Sequence, residues 1–232
     1  MSIIIITFNS EGYIENCISS IKKNYKKNYE IIIIDNNSSD NTINLINRHV
    51  DSKIKLIKNE KNYGFTKAVN QGLKICRGEY ILNLNPDVQI LDKSIEILIE
   101  IMNTNKSIGI ISPQLVFPNG KIQYSCRRFP THWNIFTELF FLNQFWPKSK
   151  LFNGWKMGDF NHKTEMSVDQ TAGAAFIIKK ELFSDFNLFT PSVPILRASI
   201  SKPESVSSRI ASFGSKSINC SISKRFFSPP LK

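Results

Sequence analysis

Apolar residues follow two rhythms along the first half of this chain. Ile3 to Ile6 and Glu30 to Ile34 are near-continuous β-branched runs of the kind buried on both faces of a sheet. Between them, Tyr13, Ile14, Cys17, Ile18 and Ile21 recur at helical spacing within Glu11 to Ile21. The unit then repeats. The turn Asp35-Asn-Asn-Ser-Ser-Asp40 ends the second strand, and Thr42 to His49 reads as a helix with Asp40 as its expected N-cap. Ile54 to Lys58 predicts a third strand, Thr66 to Ile75 a helix, and Tyr80 to Leu84 a fourth strand. Ser94 to Met102 predicts a longer helix and Gly109 to Ser112 a strand. Pro113 to Pro130 reads as loops and a hairpin around Pro118-Asn119-Gly120. Ala172 to Ile178 predicts one more buried strand, and Lys179 to Phe183 the start of a helix.

Alternating strands and helices predict an α/β fold: a Rossmann-type, mostly parallel sheet flanked by helices. Ligands of such sheets bind outside the carboxyl ends of the strands. Thr7, Asn9, Asp35 and Asp87 all fall at those ends, so four polar residues distant in sequence are expected on one edge. Pro86, with no N–H and a fixed φ, stops the fourth strand and makes the turn that presents Asp87.

A net charge of +11 favours anionic partners, with nucleotide phosphates, nucleic acid and acidic lipid headgroups all candidates. Lys22, Lys23, Lys26 and Lys27 are most simply a solvated helix end. No apolar run approaches the roughly 20 residues that cross a bilayer. No basic segment or cleavage site frames Ile3, so the cytoplasm is the expected compartment. Cys17, Cys76, Cys126 and Cys220 lack zinc-type spacing and read as free thiols. Asn134 to Trp146, rich in Phe, Leu and Trp, is able to cover a core, act as a lid or lie at a membrane surface. From Thr190 the chain turns Ser-rich and basic, with Glu204 its one carboxylate, a composition expected to stay disordered.

Several chemistries drop out. The first strand leads into TFNSEGY rather than GxGxxG, and no P-loop follows any strand. His49, His132 and His162 fall at a helix end and in loops, where no Ser/His/Asp arrangement can form. Nucleic-acid binding would leave the strand-end acids unexplained. Asp87 offers a hard oxygen ligand to Mg²⁺ or Mn²⁺, whose other ligands come from water and substrate phosphates. Such an ion offsets charge on a departing diphosphate. The plain alternative is an Asn-Pro-Asp turn without a ligand.

The segments IIIITFNSEGYIENCISSI, EIIIIDNNSSDNT and NYGFTKAVNQGLKICRGEYILNLNPDV, in this order and spacing, resemble the nucleotide-sugar half of family 2 glycosyltransferases with the GT-A fold. SPQLVFPNGKIQYSCRRFPT and VDQTAGAAFIIKKELF are similar to the rhamnosyltransferase-like branch that builds bacterial cell-surface polysaccharide. The likeness runs from Met1 to about Phe189. It implies an inverting transfer from a nucleotide-diphospho-sugar, dTDP-rhamnose-like or UDP-linked, to a growing polysaccharide or lipid-linked glycan, with peripheral membrane contact left open. It further implies that Thr7, Asn9 and Glu11 border the nucleotide, that Asp35 hydrogen-bonds the base, and that Asn62, Gly64 and Asn70 shape the same pocket. Asn85-Pro86-Asp87 would stand where the family has Asp-x-Asp, with Asp87 as metal ligand and Asn85 facing the sugar. Arg127 and Arg128 are candidates for phosphate or acceptor, or a solvated pair, and the resemblance puts the general base on neither Asp169 nor Glu181.

In inverting relatives that base lies in an acidic pair downstream of the segment matching GAAFIIKKE. Here LFSDFNLF runs into TPSVPILRASISK and no acidic pair follows. The resemblance therefore divides the chain into a GT-A-like domain over 1–189 and a Ser-rich basic tail over 190–232. Within the domain, 1–112 is the nucleotide-sugar-binding half and 113–189 the start of an incomplete acceptor half. The expectation is a chain truncated or out of frame after 189, either a glycosyltransferase or a nucleotide-sugar-binding fragment without turnover.

Overall fold

Seven isoleucines, Ile3, Ile4, Ile5, Ile31, Ile32, Ile33 and Ile34, have no exposed surface at all. They lie on β1 (Ser2–Thr7) and β2 (Glu30–Asp35) and explain why these runs form strands rather than helices. A β-branched side chain packs well on a pleated surface, and period-two alternation sends successive isoleucines to opposite faces. Ile3, Ile5, Ile31 and Ile33 pack into one core with Ile14, Cys17, Ile18 and Ile21 of α1 (Ile14–Asn24). Ile4, Ile32 and Ile34 pack into the other, against Ala68 and Val69 of α3 (Phe65–Ile75).

In this computed structural model residues 1–182, 209–211 and 220–223 are described. The remaining elements are α2 (Thr42–Asn47), β3 (Ile54–Lys58), β4 (Tyr80–Leu84), β5 (Val88–Ile90), α4 (Ser94–Thr104) and β6 (Ile108–Ser112). The short strands β7 (Leu115–Val116), β8 (Ile122–Gln123) and β9 (Cys126–Arg127) follow, then α5 (His132–Leu139) and α6 (Leu142–Phe145). Last come β10 (Gln170–Thr171), β11 (Ala175–Lys179), β12 (Arg209–Ala211) and β13 (Cys220–Ser223).

The central sheet has the order β13-β6-β11-β4-β1-β2-β3. β4, β1, β2 and β3 are mutually parallel, whereas β11 runs antiparallel to both β4 and β6. The expected mostly parallel, helix-flanked sheet is therefore present. β12 pairs with β5 and β7, and β13 with β6, so these two short pieces of the Ser-rich stretch are hydrogen-bonded. The expected disorder of that stretch otherwise falls outside the described residues.

Local departures have local causes. α1 begins at Ile14 rather than Glu11 because the N–H groups of Tyr13 and Ile14 both donate to the Ser10 carbonyl, making a turn first. α2 starts after Asn41, while the Asp40 carboxylate caps the Thr42 N–H from one residue further back. β11 ends at Lys179 and a turn at Lys180 follows, so the helix expected from Lys179 begins at Glu181, and its continuation falls outside the described residues. The hairpin around Asn119 is present, with Gly120 at a φ of +78°. Cys17 and Cys76 are free, but Cys126 is disulfide-bonded, contrary to the free-thiol expectation. Motif spacing says nothing about pairing between cysteines far apart in sequence.

Gly72 lets α3 approach the sheet: a Cβ there would lie 2.9 Å from Ile4 Cγ2 and 3.1 Å from Ile34 Cδ1. Gly72→Leu is expected to cost about 1–3 kcal/mol through overpacking. The measurement is the urea midpoint at unchanged slope, and an unmoved midpoint would mean that α3 stands off the sheet.

Candidate functional site

Two strand ends form the heart of the candidate site. The fully buried Asp35 closes β2 beside Thr7 at the end of β1, and Thr7 Oγ1 donates to Asp35 Oδ1 at 2.8 Å. The same carboxylate accepts from Ser38 Oγ at 2.5 Å and from the Ser38 N–H at 2.9 Å. A carboxylate out of water needs such donors, and three satisfy it here. The geometry thus gives Asp35 the work of capping its own turn and tying that turn to β1.

The loop after β1 is stitched to the same turn. The Asn9 N–H donates to Ser38 Oγ at 2.9 Å, and Asn9 Oδ1 accepts from the Ser39 N–H at 2.9 Å. Asn9 has a φ of +49° and Asn37 a φ of +67°, left-handed conformations that Asn tolerates better than most residues. The Glu11 N–H donates to Asp40 Oδ2, and Glu11 Oε2 accepts from the Asn41 N–H. Asn9 and Glu11 are both exposed, so a loop held from beneath presents their outer surfaces to solvent.

A buried amide chain extends the edge toward α3. Asn36 Nδ2 donates to the Gly64 carbonyl at 3.3 Å, Asn59 Nδ2 to Asn36 Oδ1 at 2.8 Å, and Gln71 Nε2 to Asn59 Oδ1 at 2.8 Å. Asn62 Oδ1 accepts from the Gly64 N–H, and Gly64 takes a φ of +81° just before α3. Asn70 lies half-buried on that helix.

Asn85 and Asp87 stand on the opposite side of β1, since β4 and β2 flank it. Their turn is pinned from two directions. The Asn85 N–H donates to the Ala174 carbonyl at 2.8 Å, and the Cys17 thiol of α1 reaches the Asn85 carbonyl at 3.8 Å. Burial, and then the nearby Asp87 charge, push the Cys17 thiol far above its usual range, so it stays protonated. Ser20 Oγ accepts from the Ile90 N–H, and Asn24 Nδ2 donates to the Ile90 carbonyl. The sheet brings the two groups to one edge, with β1 between them.

Among the described residues, no group of three or more His, Cys, Asp or Glu side chains could hold a metal ion. A single half-buried carboxylate at a strand end suits an ion that draws most ligands from water and a bound phosphate. It does not suit one caged by protein alone.

Further along, Arg128 forms a bidentate pair with Asp159 at 2.7 and 2.9 Å and is not simply solvated. Arg127 donates to the carbonyls of Tyr124 and Cys126. Burial first, and Arg127 second, push His162 down to about 4, so this imidazole is neutral at pH 7. Reading by strand ends overlooked Asn36, Ser38, Asn59 and Cys17. The run of Asn, Ser and Asp after β2 was the available signal for the first two; nothing in sequence marks Cys17.

The family model described as "Glycosyl transferase family 2" matches residues 2–164. A curated relative, the UDP-Glc:alpha-D-GlcNAc-diphosphoundecaprenol beta-1,3-glucosyltransferase WfgD of Escherichia coli, is 32% identical over 142 residues, 54% of this chain and 56% of its own. Among solved structures, S. aureus TarS in complex with UDP-GlcNAc has a TM-score of 0.59 at 18% identity, covering 90% of this chain and 57% of that one. A mannosyltransferase from Pyrobaculum calidifontis in complex with GDP-Man and Mn²⁺ has a TM-score of 0.56 at 16% identity, covering 84% and 48%. At such identities the likeness is one of fold. The chain spans between 36% and 56% of the length of the first curated relatives it matches.

Asp35→Ala strands three donors and is expected to cost about 1–3 kcal/mol in chemical denaturation. An effect near zero would mean that water replaces the carboxylate. Acid should weaken the fold through Asp40 and Asp159. Burial opposes the Asp40 charge, but the Thr42 hydroxyl and the N–H groups of Glu11 and Thr42 outweigh it, and the Arg128 hydrogen bonds hold Asp159 down likewise. Both carboxyls lie below their ordinary value of 3.8 when folded, so their stabilisation is complete above that pH. It is lost as pH falls through the lower folded-state values. Denaturation midpoints below about pH 4 should therefore fall less steeply in Asp40→Asn and Asp159→Asn than in the parent.

Proposed function

The chain belongs to glycosyl transferase family 2, and on that premise we propose that it binds a nucleotide-diphospho-sugar at the carboxyl edge of its sheet and transfers the sugar, with inversion, to a growing polysaccharide or lipid-linked glycan. The observation that carries this reading is the placement of Asp35 and Asp87 at one sheet edge on either side of β1, within a family 2 frame. The +11 net charge favours an anionic donor.

In this reading the nucleotide lies over the loop that Asp35 and Ser38 hold in place. Thr7, Asn9 and Glu11 border it on one side and Asn62, Gly64 and Asn70 on the other. Asp35, which has no exposed surface, serves the base through the turn it caps rather than by direct contact. Asn85 offers donor and acceptor atoms to sugar hydroxyls without adding negative charge beside the diphosphate. Asp87 would hold Mg²⁺ or Mn²⁺, which when bound neutralises the charge gathering on the leaving diphosphate. The E. coli relative is named for a UDP-Glc donor and a diphosphoundecaprenol acceptor, and the Pyrobaculum neighbour was solved with Mn²⁺. These names support a lipid-linked acceptor and a divalent ion; the donor is either a UDP-sugar or a dTDP-rhamnose-like sugar.

A second reading is favoured by the scarcity of carboxylates after Phe189, where only Glu204 occurs. Without a base near the acceptor hydroxyl, a factor of about 10²–10⁴ in rate is missing, and a metal does not supply it. The chain would then bind donor without turning it over.

Calorimetry with UDP- and dTDP-sugars plus Mn²⁺, followed by a transfer assay, tests both. Donor binding that needs Mn²⁺ and weakens about tenfold or more in Asp87→Ala is the expected result. Binding without transfer selects the second reading. Metal-independent binding, or none at all, removes Asp87 as a ligand.

A further inference from the structure

α5 is built inside out. Its polar residues Asn134 and Thr137 are only 8% and 1% exposed, while Leu139 is 69% exposed and Trp133, Ile135 and Phe136 each more than 40%. The inward residues are satisfied locally. Asn134 closes a capping box with Thr131, and Thr137 Oγ1 donates to the Asn134 carbonyl at 2.9 Å. The outward residues continue into α6 as Phe140, Phe141, Phe145 and Trp146, with Phe145 at 74%. A surface helix normally turns its apolar stripe inward, and an exposed apolar patch of this kind marks an interaction surface.

We propose that the α5–α6 face docks on the headgroup and acyl boundary of an anionic lipid bilayer. Three observations favour lipid over a second protein surface. At 100° per residue, Ile135, Leu139, Phe136, Phe140 and Trp133 spread over roughly half the circumference of the helix, a broad convex arc that a fluid surface accommodates and a narrow groove does not. The rings form a supported platform: Trp133 stacks on Phe136 at 5.3 Å and Trp146 on Phe152 at 4.9 Å. Trp133 and Trp146, each with an apolar ring body and a polar N–H, are of the type favoured at the boundary between headgroups and tails.

The charges agree. Between Phe129 and Lys156 the only carboxylate is Glu138, which Lys156 neutralises at 2.8 Å. Lys148 and Lys150 remain exposed beside Trp146, placed to meet anionic headgroups. The face is also tied to the candidate site through a chain of hydrogen bonds. The Phe129 N–H donates to Asp169, the Ala172 N–H to the Ser125 carbonyl, and the Asn85 N–H to the Ala174 carbonyl. A bilayer held here would lie at one end of the structure that carries the Asn85 turn. The inference rests on exposure and charge, independently of donor binding.

Sedimentation of the full chain with vesicles of phosphatidylcholine alone, or with about a third phosphatidylglycerol, is the test. Binding should favour the anionic vesicles, fall as salt rises, and shift tryptophan emission to the blue. A triple variant, Leu139→Ser, Phe141→Ser and Phe145→Ser, should bind at least about tenfold more weakly. Because all three side chains are exposed, its thermal midpoint should not fall. Lys148→Glu with Lys150→Glu should lose the preference for anionic vesicles while keeping residual binding. Equal partitioning of parent and triple variant would overturn the proposal. So would a lack of binding to either vesicle together with a dimer that the triple variant dissolves, since a second copy would then own the face. UDP and Mn²⁺ titrations on the same preparations report donor binding separately, so each idea fails on its own readout.

Discussion

Isoleucine runs pack equally well in several registers, and the structure depends on how that ambiguity is removed. β1 and β2 each present isoleucine to both faces, so a slip of one residue would exchange one buried isoleucine for another. Polar pairs at the two ends select the alignment. Ser2 Oγ donates to Glu30 Oε1 at 2.6 Å at one end, and Thr7 Oγ1 to Asp35 at 2.8 Å at the other. Any slip would leave the Asp35 carboxylate buried with a donor lost, which costs more than the apolar contacts can distinguish. The residues that make the candidate site therefore also set the register of the sheet beneath it.

The other half of the edge is held by a helix rather than by a strand neighbour. Cys17, Ser20 and Asn24 fall on one stripe of α1 and make polar contacts along the segment from Asn85 to Ile90. Spacings of three and four residues keep them in line. α1 thus does two jobs, presenting Ile14, Ile18 and Ile21 to the core while lending polar groups to the Asp87 turn. A loop clamped in this way can carry a charged ligand-binding group without paying for its ordering each time a ligand arrives.

Much of this was legible beforehand, for reasons that differ by element. Continuous Ile runs and the 3.6-residue recurrence of Tyr13 to Ile21 are strong periodic signals, and the alternation of strand with helix then places Asp35 and Asp87 on one edge. The capping of Asp35 by Ser38 was less legible, because several donors in Asn-Asn-Ser-Ser compete and only tertiary context chooses. β5 was not foreseen: three residues carry too little pattern, and its polar partners come from α1, some 70 residues earlier. Asn83, an amide within an apolar strand, is explained only by a contact with the Gly173 carbonyl across the sheet. The reversal of α5 was hidden because composition counts apolar residues without saying which way they face.

β11 has a consequence for how the molecule is made. It lies between β4 and β6, yet it is later in sequence than either, so the two strands it joins leave the ribosome before the one that unites them. Until Lys179 is synthesised, β4 and β6 expose bare backbone edges, and the carbonyl of Ala174 that steadies Asn85 is not yet in place. Contacts of long sequence separation form slowly, and unpaired edges invite pairing with other chains. The centre of the sheet is completed only after both strands that flank it, with β13 at the rim later still, so the nascent chain depends on protection of those edges until β11 arrives.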